Sequence, residues 1–409
     1  MNLLQIDIGQ SKVIPFVSIS LVTVFMAISF VDLEQQMASY LALVGTIVVL
    51  FASVGLLLLK KTLHTFDIIV LLYIVILEIV SVINGNEWKL WLWNVFPITA
   101  YLLIFNYYEA RYHTIIHAIT LVLSIAIYCQ LYQCVTHPDM WLFEGEKEAR
   151  GYLLGGNYNG MGIRMLIALT ASMIGMRYSK WIRINLVPLT ICCFAILFMV
   201  RSMTSLSCMF LLTILFFIKN KKLLLMGAVG MFVGAFLFQT FVCFSGRGLE
   251  NNELAVWLIE DVLEKDLTFT HRTYIWDSAL CVFAESPIWG YGFFSIDWFR
   301  VHISTEGGMD NFIICHMIYG GIILLSLYTI LVLKTLLRLI IIKDLTAMRL
   351  MAVFGVLCIM MLFEAYDTPL VFLLLTMMYY YPRQESFATL GDYVEEISIQ
   401  ENDNLASSK

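Results

Sequence analysis

Residues 184–243 read INLVPLTICCFAILFMVRSMTSLSCMFLLTILFFIKNKKLLLMGAVGMFVGAFLFQTFVC. Three apolar runs, 184–200, 203–218 and 223–243, are separated only by Arg201-Ser202 and by the basic break Lys219 to Lys222. Each run is close to the ~17–25 residues that cross ~30 Å of hydrocarbon as a helix. None alternates polar and apolar residues in the period of two that a barrel strand requires. In lipid, only a helix or a closed barrel satisfies its own backbone. The stretch is therefore read as consecutive membrane-spanning helices with tight turns.

The same pattern extends outward to 14–31, 40–59, 66–84, 90–106, 114–135 and 159–176 on one side, and to 311–333, 350–365 and 368–381 on the other. It predicts an all-α polytopic membrane protein with about twelve transmembrane helices. Composition agrees: 60% of the 409 residues are apolar and 14% charged, whereas soluble domains run near 45–50% and about 25%. A net charge of −6 offers no basic surface to nucleic acid. Residues 1–381 are expected to form a single transmembrane domain in the lipid bilayer. Residues 382–409, rich in acidic side chains, are expected to be a disordered tail.

Lys and Arg gather on alternate breaks: Lys12, Lys60-Lys61, Arg111, Arg177 to Arg183, Lys219 to Lys222, Lys334 to Arg349 and Arg383. The positive-inside tendency makes these the cytoplasmic face, with both termini inside. The other breaks are acidic and include Glu144 to Glu148, Glu364 and Asp367.

Nine cysteines include no CxxC pair, and most lie in spans, where an isolated thiol behaves as a small hydrophobe. A bridge between two of Cys134, Cys243 and Cys281 stays open. His113 and His117 stand four apart without carboxylates beside them, so no metal site is expected. Glu78 is an isolated acid in the third span, read as a bundle contact or a proton-coupling group.

Residues 244–310 form the longest stretch between spans. Its aromatic residues, among them Trp257, Trp276, Trp289, Tyr291, Phe293, Phe294, Trp298 and Phe299, must pack on themselves or lie at the headgroup level. ELAVWLIEDVLEK (253–265) and TYIWDSALCVFAE (273–285) both carry helical spacing, broken at Ser286-Pro287. The expectation is a large ordered extracytoplasmic loop containing amphipathic helices. Six arginines fall on this outer side: Arg150, Arg164, Arg201, Arg247, Arg272 and Arg300. Burying a guanidinium in a span costs ~2.5–3.5 kcal/mol, and bidentate bonds to phosphate or carboxylate offset such a cost.

HRTYIWDSALCVFAESPIWGYG (271–292) resembles the stretch of O-antigen polymerase and ligase proteins in which Arg, Trp, an amphipathic helix, Pro and Gly-x-Gly follow in order. Arg272, Trp276, Pro287, Gly290 and Gly292 occupy those positions. RGYLLGGNYNGMG (150–162) is similar to the family's Arg-Gly-aromatic element, placing Arg150 and Asn159 on it. RSMTSLS (201–207), with Ser202 and Ser205, is similar to a Ser-rich helix start. In DNFIICHMIYGG (310–321), Asp310 stands where the family commonly has His, Asn311 is kept, and Gly320-Gly321 follows.

The resemblance implies a GT-C-like membrane glycosyltransferase of the bacterial cytoplasmic (inner) membrane. It would act without metal or cofactor on undecaprenyl-diphosphate-linked oligosaccharide as donor and acceptor, with a chain-length regulator protein as a candidate partner. A polymerase of capsular, exopolysaccharide or O-antigen repeat units is the closer likeness, because a ligase is expected to keep the His. The alternatives are a ligase-type transferase and, in another class, a flippase for lipid-linked sugars, which would show internal repeats and a midplane site. In the transferase reading Asp310 is the base, with Arg272 as the second catalytic residue. Arg150, Asn159, Arg164, Arg201, Arg247, His302 and Asn311 bind diphosphate or sugar. Asp310 also suits a helix cap, in which case His302 or Asp297 would take the proton.

Overall fold

A computed structural model describes residues 13–28, 55, 63–86, 88–136, 154, 160–245, 253–257, 272–304, 309–366 and 368–382. Among the described residues every regular element is helical and no strand occurs. The first part of the chain forms α1 (Val13–Ile28), α2 (Thr65–Ile83), α3 (Trp88–Tyr107), α4 (Tyr112–Thr136), α5 (Met161–Gly175), α6 (Lys180–Met199), α7 (Met203–Phe217) and α8 (Lys221–Phe238). A π-helical turn, Gln239–Cys243, continues α8. After the one-turn helix Glu253–Val256 come α9 (Arg272–Glu285), α10 (Ile296–His302), α11 (Phe312–Ile342), α12 (Leu345–Met361) and α13 (Thr368–Tyr379).

Each expected span other than 40–59, which apart from residue 55 lies outside the described residues, overlaps a helix. Five of the described helices are candidate crossings by length and composition, and the count of twelve is not established by them. Among the described residues, Thr65–Ile83, Glu109–Thr136, Lys180–Met199, Lys221–Cys243 and Phe312–Ile342 are the helices long and apolar enough to cross alone. The apolar helices α5, α7, α12 and α13 are shorter. All of α5 and α13 is buried, so these two helices meet protein rather than lipid. The surrounding helices carry outward apolar stripes, such as Ile68, Leu72, Val75 and Ile79 on α2 and Ile330, Leu333, Leu337 and Ile341 on α11. The i, i+3 and i+4 spacing puts each stripe on one face. Apolar side chains left bare on long helices need a hydrocarbon surrounding, and the chain is a helical membrane protein.

The helix α11 runs further than expected, so Lys334 and Arg338, assigned to a connecting loop, lie on its last turns. It is also broken. Gly320 and Gly321 leave helical geometry, Gly321 with φ of 61°. The straight part from Ile322 to Ile342 is ~31 Å long at 1.5 Å per residue and suffices to cross. At the break, backbone from the 286–292 turn replaces the lost helical bonds. Tyr291 N donates to Ile318 O at 2.7 Å, Gly292 N to Tyr319 O at 2.7 Å, and Ile322 N to Pro287 O at 2.9 Å. Gly290 takes φ of 68° and Gly292 of 78°. A Cβ at Gly290 would strike Ile318 O, and one at Gly321 would strike the Ile288 carbonyl. The two glycine pairs singled out in the sequence are thus halves of one joint. Phe293 N donates to Ser81 Oγ at 2.9 Å and ties the joint to α2.

At the end of the bundle where α13 finishes, consecutive tyrosines clamp two helix starts. Tyr380 Oη donates to Asp67 Oδ1 at 2.7 Å, while His64 N donates to Asp67 Oδ2 at 2.8 Å and Asn106 Nδ2 donates to the same oxygen. Tyr381 Oη donates to Asp344 Oδ2 at 2.7 Å, and Arg177 Nη1 lies 3.0 Å from that oxygen. Asp344 Oδ1 caps α12 by accepting from Ala347 N. All nine cysteines are free thiols, so the open bridge among Cys134, Cys243 and Cys281 is not formed.

Candidate functional site

The described part of the 244–310 segment folds on a core of its own. Ile275, Trp276 and Ala279 of α9 pack with Phe299, Ile303, Met309, Cys243 and the α11 residues Ile314, Cys315 and Ile318. The amphipathic spacing read at 273–285 builds this face, and α9 ends at Glu285, one residue before the expected Ser286-Pro287 break. The helix read at 253–265 is described only through Trp257, with a single turn at Glu253–Val256. The short α10, capped by Ser295 Oγ accepting from Trp298 N, was not legible: seven residues give too little periodicity.

Docking α9 on α11 brings Arg272 to Asp310. Arg272 Nε donates to Asp310 Oδ2 at 3.1 Å, with the two side chains 19% and 30% exposed. Only Nε is used in this bond, and the pair is reachable from solvent. Asp310 has φ of 44°, a left-handed conformation that costs a residue with a Cβ ~1–2 kcal/mol. Asp310 is not the cap of α11. Asn311 is, its side chain accepting from Ile314 N at 3.0 Å.

Asn311 is fully buried. Its Nδ2 donates to Gln239 Oε1 at 3.0 Å and to Leu362 O at 3.1 Å. One amide thereby joins the start of α11, the π turn that ends α8 and the residue that ends α12. Since Asn311 Oδ1 is committed to the cap, its Nδ2 must be the donor. That in turn fixes the Gln239 carbonyl toward Asn311. A π turn inserts one residue into a helix and commonly marks a functional position; here it turns Gln239 inward.

The Leu362–Tyr366 turn, held through Leu362 O, forms the third wall. Glu364 and Tyr366 on it are buried, and Ala365 packs against the α9 core. Burial pushes the Tyr366 phenol well above its usual value; the neighbouring Glu364 carboxylate adds to this, while a hydrogen bond with Ser205 and the Arg272 guanidinium oppose it. Ser205, read in the sequence as part of the Ser-rich helix start, is buried on α7. Gln239 and Tyr366 were missed in the sequence, and Glu364 was counted only as an acid in an outer break. Its signal was an acid and a tyrosine, Phe363-Glu364-Ala365-Tyr366, in a break too short to be solvated on all sides.

The remaining expected site residues do not gather around Arg272 in the same way. Arg164 is 2% exposed within α5, its Nη1 donating to Gly160 O at 2.9 Å. Arg201, in the turn between α6 and α7, is exposed with φ of 56°. His302 stacks on Trp298 with ring centroids 4.4 Å apart and its Nδ1 within 2.8 Å of Trp298 O. Asp297 is 86% exposed and faces Arg300 at 3.8 Å. Arg150, Asn159 and Arg247 lie outside the described residues. Glu78 is half-buried on α2.

Residues 186–329 match a family model described as O-antigen ligase. Comparison with curated proteins and with solved structures found no match. The matched residues run from α6 through the glycine joint, while the Leu362–Tyr366 turn lies beyond them. Residues 186–329, which carry Arg272, Asp310 and Asn311 together with the joint that holds them, are thus the part of the chain that is similar to the O-antigen ligase family.

Proposed function

We propose that this chain is a membrane glycosyltransferase that joins oligosaccharide units carried on polyprenyl diphosphate, and within that class a repeat-unit polymerase. The carrying observation is the Arg272–Asp310 pair inside the part of the chain that is similar to the O-antigen ligase family. An arginine whose Nε is held by a carboxylate keeps its outer Nη edge free to grip a diphosphate bidentately. Asp310 fixes the plane of that grip. Stabilising the departing diphosphate is the electrostatic half of glycosyl transfer, and preorganised donors supply it without reorganisation during reaction. Exposed Arg201 on the α6–α7 turn is a second anion contact in this reading.

Donor and acceptor are both lipid-linked and meet on the outer face of the cytoplasmic membrane, with the two termini of the chain inside. Asp310 in the family's His position favours polymerase over ligase. The test is the lipid-linked product in cells lacking the chain. Single repeat units on lipid support the polymerase, full-length polymer on lipid supports the ligase, and repeat units absent from the outer leaflet would overturn both in favour of a flippase.

A further inference from the structure

The Arg272–Asp310 pair supplies a cation for the leaving group but leaves the proton of the attacking hydroxyl without a recipient, because the Asp310 carboxylate is engaged with Arg272. A carboxylate matched by a guanidinium is a weaker proton acceptor. The alternatives read from the sequence do not help: Asp297 is solvated and faces Arg300, and His302 is stacked on Trp298 on the exposed α10.

Resting on the glycosyltransferase reading above, we propose that Glu364 is the general base that takes the proton from the acceptor hydroxyl. Three observations place it. The turn that carries it is anchored at Leu362 O by Asn311, the residue next to Asp310. Ala365, the next residue, packs on the core formed by Ile275 and Trp276, one turn along α9 from Arg272. Glu364 is itself only 8% exposed, so its carboxylate is held within the protein rather than in bulk water. The phenol of Tyr366, two residues on, is influenced by both Glu364 and Arg272, so base and cation share one neighbour.

In the step, the acceptor hydroxyl oxygen bonds to the donor's anomeric carbon as its proton passes to the Glu364 carboxylate. The bond from that carbon to the diphosphate oxygen breaks, and its electron pair leaves on the diphosphate, held by Arg272. Charge balances without metal or redox partner. A single displacement of this kind inverts the anomeric centre. Tyr366, held near Ser205, is a positioning residue for Glu364.

The test uses the purified full chain in nanodiscs with lipid-linked repeat units extracted from cells lacking it. Glu364→Gln should lower kcat at least ~100-fold, the usual contribution of a general base, with KM changed less than threefold and the base-dependent rise of rate with pH abolished. If Glu364→Gln matches wild-type kcat while Arg272→Lys is inactive, the base assignment fails and the transferase reading stands. If Arg272→Lys is also fully active, that reading fails first. Should Glu364→Gln not fold, Glu364→Asp decides: a tenfold or larger fall in kcat with the pH-dependent rise retained supports the proposal, and wild-type kcat overturns it.

Discussion

Asn311 Nδ2 bonds Gln239 Oε1 at 3.0 Å and so locks a π turn at the end of α8 to the cap of α11, one residue from Asp310. The same nitrogen reaches Leu362 O. Three chain segments distant in sequence are held by one buried amide, and the left-handed geometry of Asp310 is fixed by its neighbour's bonds.

Asn311→Ala should therefore be costly. It strands a buried carbonyl on Gln239, another at Leu362 and the Ile314 N–H, at ~1–3 kcal/mol for each group left unsatisfied. Thermal unfolding in detergent should show a midpoint lowered by several degrees. Asn311→Asp, which keeps the cap but not the donor, should fall between.

Asp310→Gly separates backbone from charge. Glycine adopts φ of 44° without steric cost, and the part-exposed ion pair it removes contributes ~0–1 kcal/mol. The variant should melt within a few degrees of wild type yet lose at least tenfold in transfer activity, because Arg272 is no longer oriented. Unfolding curves and polymer assays on one preparation measure both.

The joint at the α11 break predicts a position-specific intolerance. Gly290→Ala and Gly321→Ala each place a Cβ against backbone of the opposing strand of the joint at positive φ, costing about 2–5 kcal/mol. The double variant should lose less than the sum, since either change opens the same contact. Gly230→Ala, with no atom within 4 Å of its added Cβ, should be tolerated. Unfolding midpoints distinguish the three.

Alkaline stability carries a signature of Tyr366. Its phenol is raised by burial, so above pH ~10 the unfolded chain releases this proton while the folded chain keeps it. Stability is complete below pH 10 and falls as pH rises through the folded value. Tyr366→Phe should flatten part of that fall in a pH series of unfolding midpoints. At the opposite end of the bundle, Tyr380→Phe removes a donor from buried Asp67 and should lower stability by about 1–3 kcal/mol with activity retained.

Much of the helical layout was legible because lipid demands long apolar runs with few charges, and the runs around 184–243 meet that demand openly. Which helices face lipid was not legible: α5 and α13 are apolar and buried on every side, and composition alone does not separate a helix surrounded by protein from one surrounded by lipid. Arg272 and Asp310 were readable because cations and carboxylates are scarce in an apolar chain. Their pairing was not, since 38 residues separate them. Gln239 was invisible because nothing in QTFVC announces a π turn. The glycine pairs could be noticed as motifs, yet their meaning as two halves of one backbone joint requires the fold.

The central claim is that Arg272, held by Asp310, stabilises the departing diphosphate. The most direct measurement is polymer formation by purified Arg272→Lys in nanodiscs, supplied with extracted lipid-linked repeat units and matched to wild type for membrane level and unfolding midpoint. Lysine keeps the charge but not the fork. The account predicts a loss of at least ~100-fold in kcat, the scale of removing one preorganised oxyanion donor. Full-length polysaccharide at the wild-type rate would contradict it.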